Sequence, residues 1–292
     1  MTRSLSWEDK LWDCFVWGAL AAVTLVMLIP LWYVLVTSLT AADVWVRTGG
    51  SLWIWPTNIS LSAYRLLLSG AQLPRAFGVS VYITLVGTLL NMIATTLLAY
   101  PLSKVSFRPR IPLMALVVFT LLFNGGLIPT YLIVRDLHLV NTYWALMLPN
   151  LVSAFNLLVM RAFFQSLPPE IEESARIDGA SEWQILWRIV LPLSKPILAT
   201  IGLFYAVAHW NGFFDAILYL SDANMQPLQV VLRSILNAAN LSQFGDISAA
   251  TALPTETLQM AAVVLTTLPV LLVYPFLQRY FVAGTLLGAV KE

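Results

Sequence analysis

The chain has 292 residues, of which 59% are hydrophobic and only 11% charged, with a formal net charge of +1. Ordinary soluble domains carry about 25% charged residues, so a soluble core of this size cannot hide that much apolar surface, whereas a bilayer can. The charge balance lacks the basic footprint of a nucleic-acid binder, and one cysteine, Cys14, leaves no internal disulfide and no metal site of its own.

In chain order, charge-free windows run Cys14–Ala42, Ala76–Ser103, Ile111–Val134, Leu137–Met160, Pro196–Phe214 and Thr257–Gln278. A helix needs about 20 apolar residues to cross a ~30 Å hydrocarbon core. The windows predict six transmembrane helices over 14–39, 76–102, 112–134, 142–164, 196–220 and 258–281. The runs are continuous rather than alternating, which favours helices over a barrel. The expected fold class is therefore an all-α integral membrane protein with a single transmembrane domain, 14–292, after a cytoplasmic segment, 1–13. The first window is too long for a signal peptide and reads as a retained anchor. Pro30, Pro101, Pro129, Pro149 and Pro269 kink or bound the spans. Trp12, Trp17, Trp53, Trp55, Tyr143, Trp144, Tyr274 and Tyr280 gather near the span ends, as interfacial belts do.

Basic residues set the orientation. With the N-terminus inside, Arg3, Lys10, Lys104, Arg108, Arg110, Arg161, Arg176, Arg188, Lys195, Arg279 and Lys291 are cytoplasmic, and Arg47, Arg65, Arg75, Arg135 and Arg233 are external. That bias places both termini in the cytoplasm. Two external segments, 40–75 and 221–257, are longer than turns, and long ordered loops tend to carry function.

The stretch between the fourth and fifth spans, 165–195, is the least lipid-like part of the chain. Pro168 and Pro169 open it, and Glu170, Glu172 and Glu173 follow in a first helical turn, where negative charge suits the helix dipole. Gly179 permits a tight bend. Trp183, Leu186, Trp187 and Val190 recur at helical spacing, and Pro192 and Pro196 return the chain to the membrane. The pattern predicts a helix–bend–helix on the cytoplasmic side, a surface suited to docking in another protein's groove.

Glu173-Ser174-Ala175, three residues, Gly179, nine residues, then Ile189-x-Leu191-Pro192 resembles the EAA motif of ABC importer permeases, with Ser174 where the family usually has alanine. Arg176 to Ala180 matches the sugar-importer form. Phe123 to Tyr131 and Phe204 to Gly212 resemble the carbohydrate-uptake branch related to the maltose permease's second subunit, nearest its polysaccharide- and oligosaccharide-importing members, including alginate-type importers. The resemblance implies the type I importer fold in a bacterial inner membrane. It implies a second homologous permease, two ATP-binding subunits and a periplasmic or lipid-anchored solute-binding protein as partners. It also implies that the loop couples ATP hydrolysis to transport through Glu173, Ser174, Ala175, Arg176, Asp178, Gly179, Ile189 and Pro192. Glu173 would meet a basic or polar group of the ATPase and Gly179 would set the bend; Arg176 and Asp178 alternatively hold the loop's own shape. No phosphate-binding Gly-rich loop is present, so ATP and Mg belong to partner chains and no cofactor is expected on this one. By similarity, Asn237–Pro254 is a candidate contact for the binding protein.

Polar or aromatic residues inside the spans are candidates for the substrate pathway: Asn91, Asn156, His209, Trp210, Asn211 and Asp215. The competing role is helix–helix glue for the asparagines and interfacial anchoring for Trp210. His209 has no second histidine nearby, which argues against a metal. The expected function is half of an alternating-access pathway for an oligosaccharide, not an enzyme. An acidic oligosaccharide or a polyol is the alternative cargo. An ion-driven transporter would instead need inverted repeats and paired buried acids, and Asp215 alone is meagre support for that.

Overall fold

A computed structural model describes residues 7–48, 50, 58–237 and 254–289. Helices account for nearly all of it: α1 Trp7–Ser38, α2 Ala42–Thr48, α3 Ser62–Ser69, α4 Gln72–Ser103, α5 Arg110–Leu122, α6 Leu127–Asp136, α7 Trp144–Met147, α8 Ala154–Ser166, α9 Pro169–Ile177, α10 Glu182–Leu193, α11 Lys195–Asn211, α12 Phe214–Tyr219, α13 Leu228–Asn237 and α14 Thr255–Ala289. The chain divides into two compact units, Met1–Leu73 with Leu232–Thr267, and Pro74–Val231 with Leu268–Glu292.

In the first unit, α1 is apolar from Cys14 onward yet almost wholly exposed there, with burial confined to its last turn at Val36, Thr37 and Ser38. A helix that is hydrophobic all round needs lipid or another protein around it. Its end is tied down locally. Tyr64 donates to Ser38 Oγ at 2.6 Å, and the Ser60 amide donates to the Leu39 carbonyl at 2.8 Å. Gln259 on α14 donates to the Leu236 carbonyl at 2.9 Å, satisfying a free carbonyl at the end of α13.

The second unit is organised along α4. Near its start Ile83 joins a core with Val134, Met147, Tyr219 and Val230. Near its end Ala99, Tyr100 and Leu102 join another with Leu157, Met160, Phe164, Ile185, Val190, Ile201 and Tyr205. One helix therefore belongs to both cores.

Three of the expected continuous spans are interrupted. Over 112–134, α5 and α6 meet at a bend of 117° across Phe123-Asn-Gly-Gly126. Gly126 takes φ +88°, a left-handed value that side chains resist, and Asn124 caps the turn by accepting from the Gly126 amide at 2.9 Å. Over 142–164 the helix is restricted to α7 and α8, separated at 148–153. Pro149 lacks an amide hydrogen and disfavours a helical residue before it, and Ser153 caps the restart at α8. Over 196–220, Gly212 adopts an extended ψ of 117° and separates α11 from α12. Charge-free windows measure only apolarity, so they pass over each of these breaks. α10 and α11 also meet at a bend of 83°, where Ser194 and Pro196 follow a π-helical stretch, Leu186–Val190.

Replacing Gly126 by alanine forces a left-handed Cβ and should cost about 1–2 kcal/mol, lowering the thermal unfolding midpoint in detergent. Gly125→Ala, with open space at the Cβ and no left-handed φ, should leave it unchanged. Tryptophan fluorescence during heating measures both.

Candidate functional site

Two places concentrate polar side chains in the second unit: the 165–195 loop and a cavity beside α11.

In the loop, the Gly179 amide donates to the Arg176 carbonyl at 3.0 Å and the Ala180 amide to the Ala175 carbonyl at 2.9 Å, which is a Schellman stop to α9. That stop puts Gly179 at φ +82°. Ser181 and Gln184 then start α10 with a reciprocal capping box. Ser174 donates to the Ile171 carbonyl at 3.0 Å, and Ala175 packs on the core around Leu102 and Met160. Glu173 and Asp178 are exposed, Ile189 is half-buried and Pro192 is exposed.

The carboxylate that turns inward is Glu172, which is buried. It forms a two-pronged ion pair with Lys104, just past the end of α4, and lies 3.4 Å from Arg176. Arg176 also donates to Glu182 at 2.9 Å, and Tyr100 donates to the other oxygen of Glu182 at 2.7 Å. Arg176 therefore bridges α9 and α10. The Arg176 hydrogen bond keeps the Glu182 carboxyl below its ordinary range, against an opposing push from partial burial. A depressed carboxyl contributes stability above its unfolded pKa and loses it as pH falls through the folded value. The Arg176–Glu182 bridge is thus complete at neutral pH and fails only in acid. Trp183, Leu186, Trp187 and Val190 do not share one face: Leu186 and Val190 are buried, while Trp183 and Trp187 are each 61% exposed. Ile177 is 86% exposed. Nothing in the sequence pattern pairs Glu172 with Lys104, 68 positions away.

The cavity has a volume of about 480 Å³ and is lined by Asn150, Ser153, Asn156, Tyr205, His209 and Asp215 among apolar neighbours. Asn150 donates to Asp215 at 3.3 Å. Asn156, His209 and Asp215 are thus brought together around one cavity. Asn91 stands behind them, buried. Its amide nitrogen donates to the carbonyls of Asn150 and Leu151, both at 2.8 Å, and its oxygen lies 2.6 Å from His209 Nε2. Tyr205 lies 2.7 Å from Thr95 Oγ1 and accepts from the Ser153 amide at 2.9 Å. Asn91–Thr95 on α4 and Tyr205–His209 on α11 are both four residues apart, so each pair shares a helix face. This spacing was visible in the sequence; the pairing of the faces was not.

Two candidates lie elsewhere. Trp210 packs edge-to-face on Phe77 with centroids 6.0 Å apart and lines a separate apolar cavity with Leu203 and Pro269. Successive helix residues point about 100° apart, so Trp210 cannot share the His209 face. Asn211 is exposed at the end of α11 and is not among the residues lining the cavity. Asn237–Pro254 falls, but for its two end residues, outside the described residues.

A family model described as binding-protein-dependent transport system inner membrane component matches residues 109–286. The chain belongs to that family. Its members are transport permeases, and this chain is a permease subunit of an ABC importer rather than an enzyme. It is 44% identical over 287 residues to the polygalacturonan/rhamnogalacturonan transport system permease protein YtcP of Bacillus subtilis, covering 97% of this chain and 99% of that one. It is 33% identical over 278 residues to the melibiose/raffinose/stachyose import permease protein MelC of the same organism, covering 93% and 94%. Among solved structures, it superposes with a TM-score of 0.89 and 32% identity on a chain of a bacterial ABC transporter involved in the import of the acidic polysaccharide alginate, covering 96% of this chain and 100% of that one. The all-α membrane fold of type I importers follows from that match.

The approach of α4 to α11 makes Gly87 a sharp test of the permease's cavity wall. A Cβ there would lie 2.5 Å from His209 Nε2. Gly87→Ala should destabilise the protein by about 1–3 kcal/mol and reduce uptake, whereas adding His209→Ala should recover most of the stability. A double-mutant cycle of unfolding midpoints in detergent checks this.

Proposed function

We propose that this permease forms half of an alternating-access pathway for a uronate-containing oligosaccharide, with a homologous permease as the other half. Residues 14–292 act as one transmembrane permease domain after a short N-terminal segment, with both termini in the cytoplasm. The 165–195 loop then meets an ATP-binding subunit that carries ATP and Mg, and a binding protein delivers the sugar on the opposite side.

The observation that carries the coupling role is the division of the loop into two faces. Glu172, Ala175, Leu186 and Val190 are built into the helical core, while Glu173, Ile177, Trp183 and Trp187 are left outside. A face that combines exposed apolar rings with a free carboxylate, on a stretch fixed from behind, is suited to a groove in a partner protein. Residues Glu173, Ser174, Gly179 and Asp178 lie at that face or at its bend; Ile189 and Pro192 shape the return to the membrane.

The uronate reading rests on relatives. Polygalacturonan and alginate are both polymers of acidic sugars, and the proteins named for their transport match nearly the whole chain. One observation favours a second reading. The cavity lining contains Asp215 and, among the described residues, no lysine or arginine. A carboxylate there suits sugar hydroxyls, so a neutral oligosaccharide, as in the raffinose-type relative, is the alternative. Under the uronate reading the partner permease supplies the cations.

Purified with its partners in lipid, the complex should show ATPase activity stimulated by binding protein loaded with a galacturonate trisaccharide. Glu173→Ala and Gly179→Val should each lower that stimulation and uptake by about tenfold, within the usual range for coupling between sites, while the chain remains in the membrane. Normal uptake by both variants contradicts the coupling role; stimulation only by raffinose selects the neutral cargo.

A further inference from the structure

The Lys104–Glu172 pair lies outside the residues that make up the EAA motif, on the inward side of the loop. Its surroundings show what it does. The pair is nearly enclosed, with side-chain exposures of 17% for Lys104 and 10% for Glu172. The Lys104 ammonium also sits over the Tyr100 ring, 4.4 Å from its centroid. Glu172 takes a second cation, Arg176, so one carboxylate gathers Lys104 from the end of α4 and Arg176 from the loop.

The end of α4 is the point where these groups converge. Its terminal carbonyls need donors. Arg161 on α8 donates to the Leu102 carbonyl at 2.9 Å, and Gln165 reaches the Ser103 carbonyl at 3.5 Å. Lys104 adds positive charge at the negative end of the helix dipole. The loop, α8 and α4 are thereby fastened at one place. From there α4 continues without a break to Asn91, 13 residues earlier, or about 20 Å along a helix at 1.5 Å per residue. Asn91 holds the carbonyls of 150 and 151 and the His209 ring beside the cavity.

We propose that Lys104 and Glu172 are positioning residues for transport: their ion pair is the joint through which displacement of the 165–195 loop enters α4 and reaches the cavity wall. The joint rests on the coupling role proposed above. It assigns different work to adjacent glutamates. Glu173 faces the partner, and Glu172 fixes the loop to the permease. An apolar contact would slide under load, whereas a buried ion pair with a specific geometry costs far more to separate. A Lys104 variant therefore disconnects the motor from the pathway without removing the motor's docking face.

The test uses the full complex in lipid, with binding protein loaded with a galacturonate trisaccharide as the probe. Lys104→Ala and Glu172→Gln should still co-purify with the ATP-binding subunits, and should lose about tenfold or more of the sugar-stimulated ATPase and of uptake per ATP hydrolysed. Lys104→Arg should keep the coupling. The double variant, Lys104→Ala with Glu172→Gln, should lose no more coupling than either single variant because both remove the same pair, which independent contributions to bulk stability do not predict. Several results overturn the joint: single variants with normal stimulation, a double variant whose losses of coupling add, or single variants that fail only by not assembling. Loss of the ATP-binding subunits from Glu173→Ala alone, with coupling intact in the Lys104 and Glu172 variants, also overturns it while sparing the wider functional reading. A wild-type complex with no sugar-stimulated ATPase under either cargo removes the functional reading itself, and the joint with it.

Discussion

A bilayer core offers no water to backbone groups, so every break in a membrane helix must be met by a donor or acceptor from elsewhere in the protein. This constraint organises the permease. The helix expected over 142–164 is open at 148–153, and the carbonyls freed there are taken by Asn91, while the Ser153 amide is taken by Tyr205. The partners come from α4 and α11, which are themselves linked by Asn91–His209 and Thr95–Tyr205. Removing Asn91 would leave the carbonyls of 150 and 151 and a histidine without their partner at once. Asparagine in that position is therefore first a strut of the cavity. A cavity walled by unwound backbone is where a polar ligand finds carbonyls, amides and side chains within reach.

The same logic recurs at the other end of α4. The helix end at Leu102–Ser103 is satisfied by Arg161 and Gln165, and its dipole by Lys104. Lys104 then needs its own counter-charge, which Glu172 supplies from the loop. Once the loop is anchored on that side, its remaining face is free to be recognised: the rings of Trp183 and Trp187, the Ile177 side chain and the Glu173 carboxylate. The loop and the cavity lie at different places in the second unit. α4 is the element common to both.

The sequence revealed the membrane class, the existence of the loop and its glycine bend because each rests on local signals. Apolar windows, paired prolines and a glycine at the end of an acidic helix can be read without knowing what lies across the fold. The breaks inside the windows were less legible. Pro149 and Gly212 were in view, but membrane helices tolerate both, and only the presence of Asn91 and Tyr205 opposite decides that the helix opens. Glu172 went unselected because the motif directs attention to Glu173, and the residue that turns Glu172 inward is Lys104, far away in sequence. Trp210 qualifies in the sequence, like His209, as a polar or aromatic residue inside a span, but adjacent helix positions face different ways.

The central claim is that the loop and α4 move as one body. Distance measurement between spin labels tests it most directly, with labels at Asp178 on the loop and Ser106 just beyond α4, in a Cys14→Ser background. The distance should be the same in nucleotide-free and ATP-bound complexes, while the distance from Asp178 to a label on the partner permease changes. If the Asp178–Ser106 separation itself shifts with nucleotide, the loop moves independently of the helix and the account is wrong.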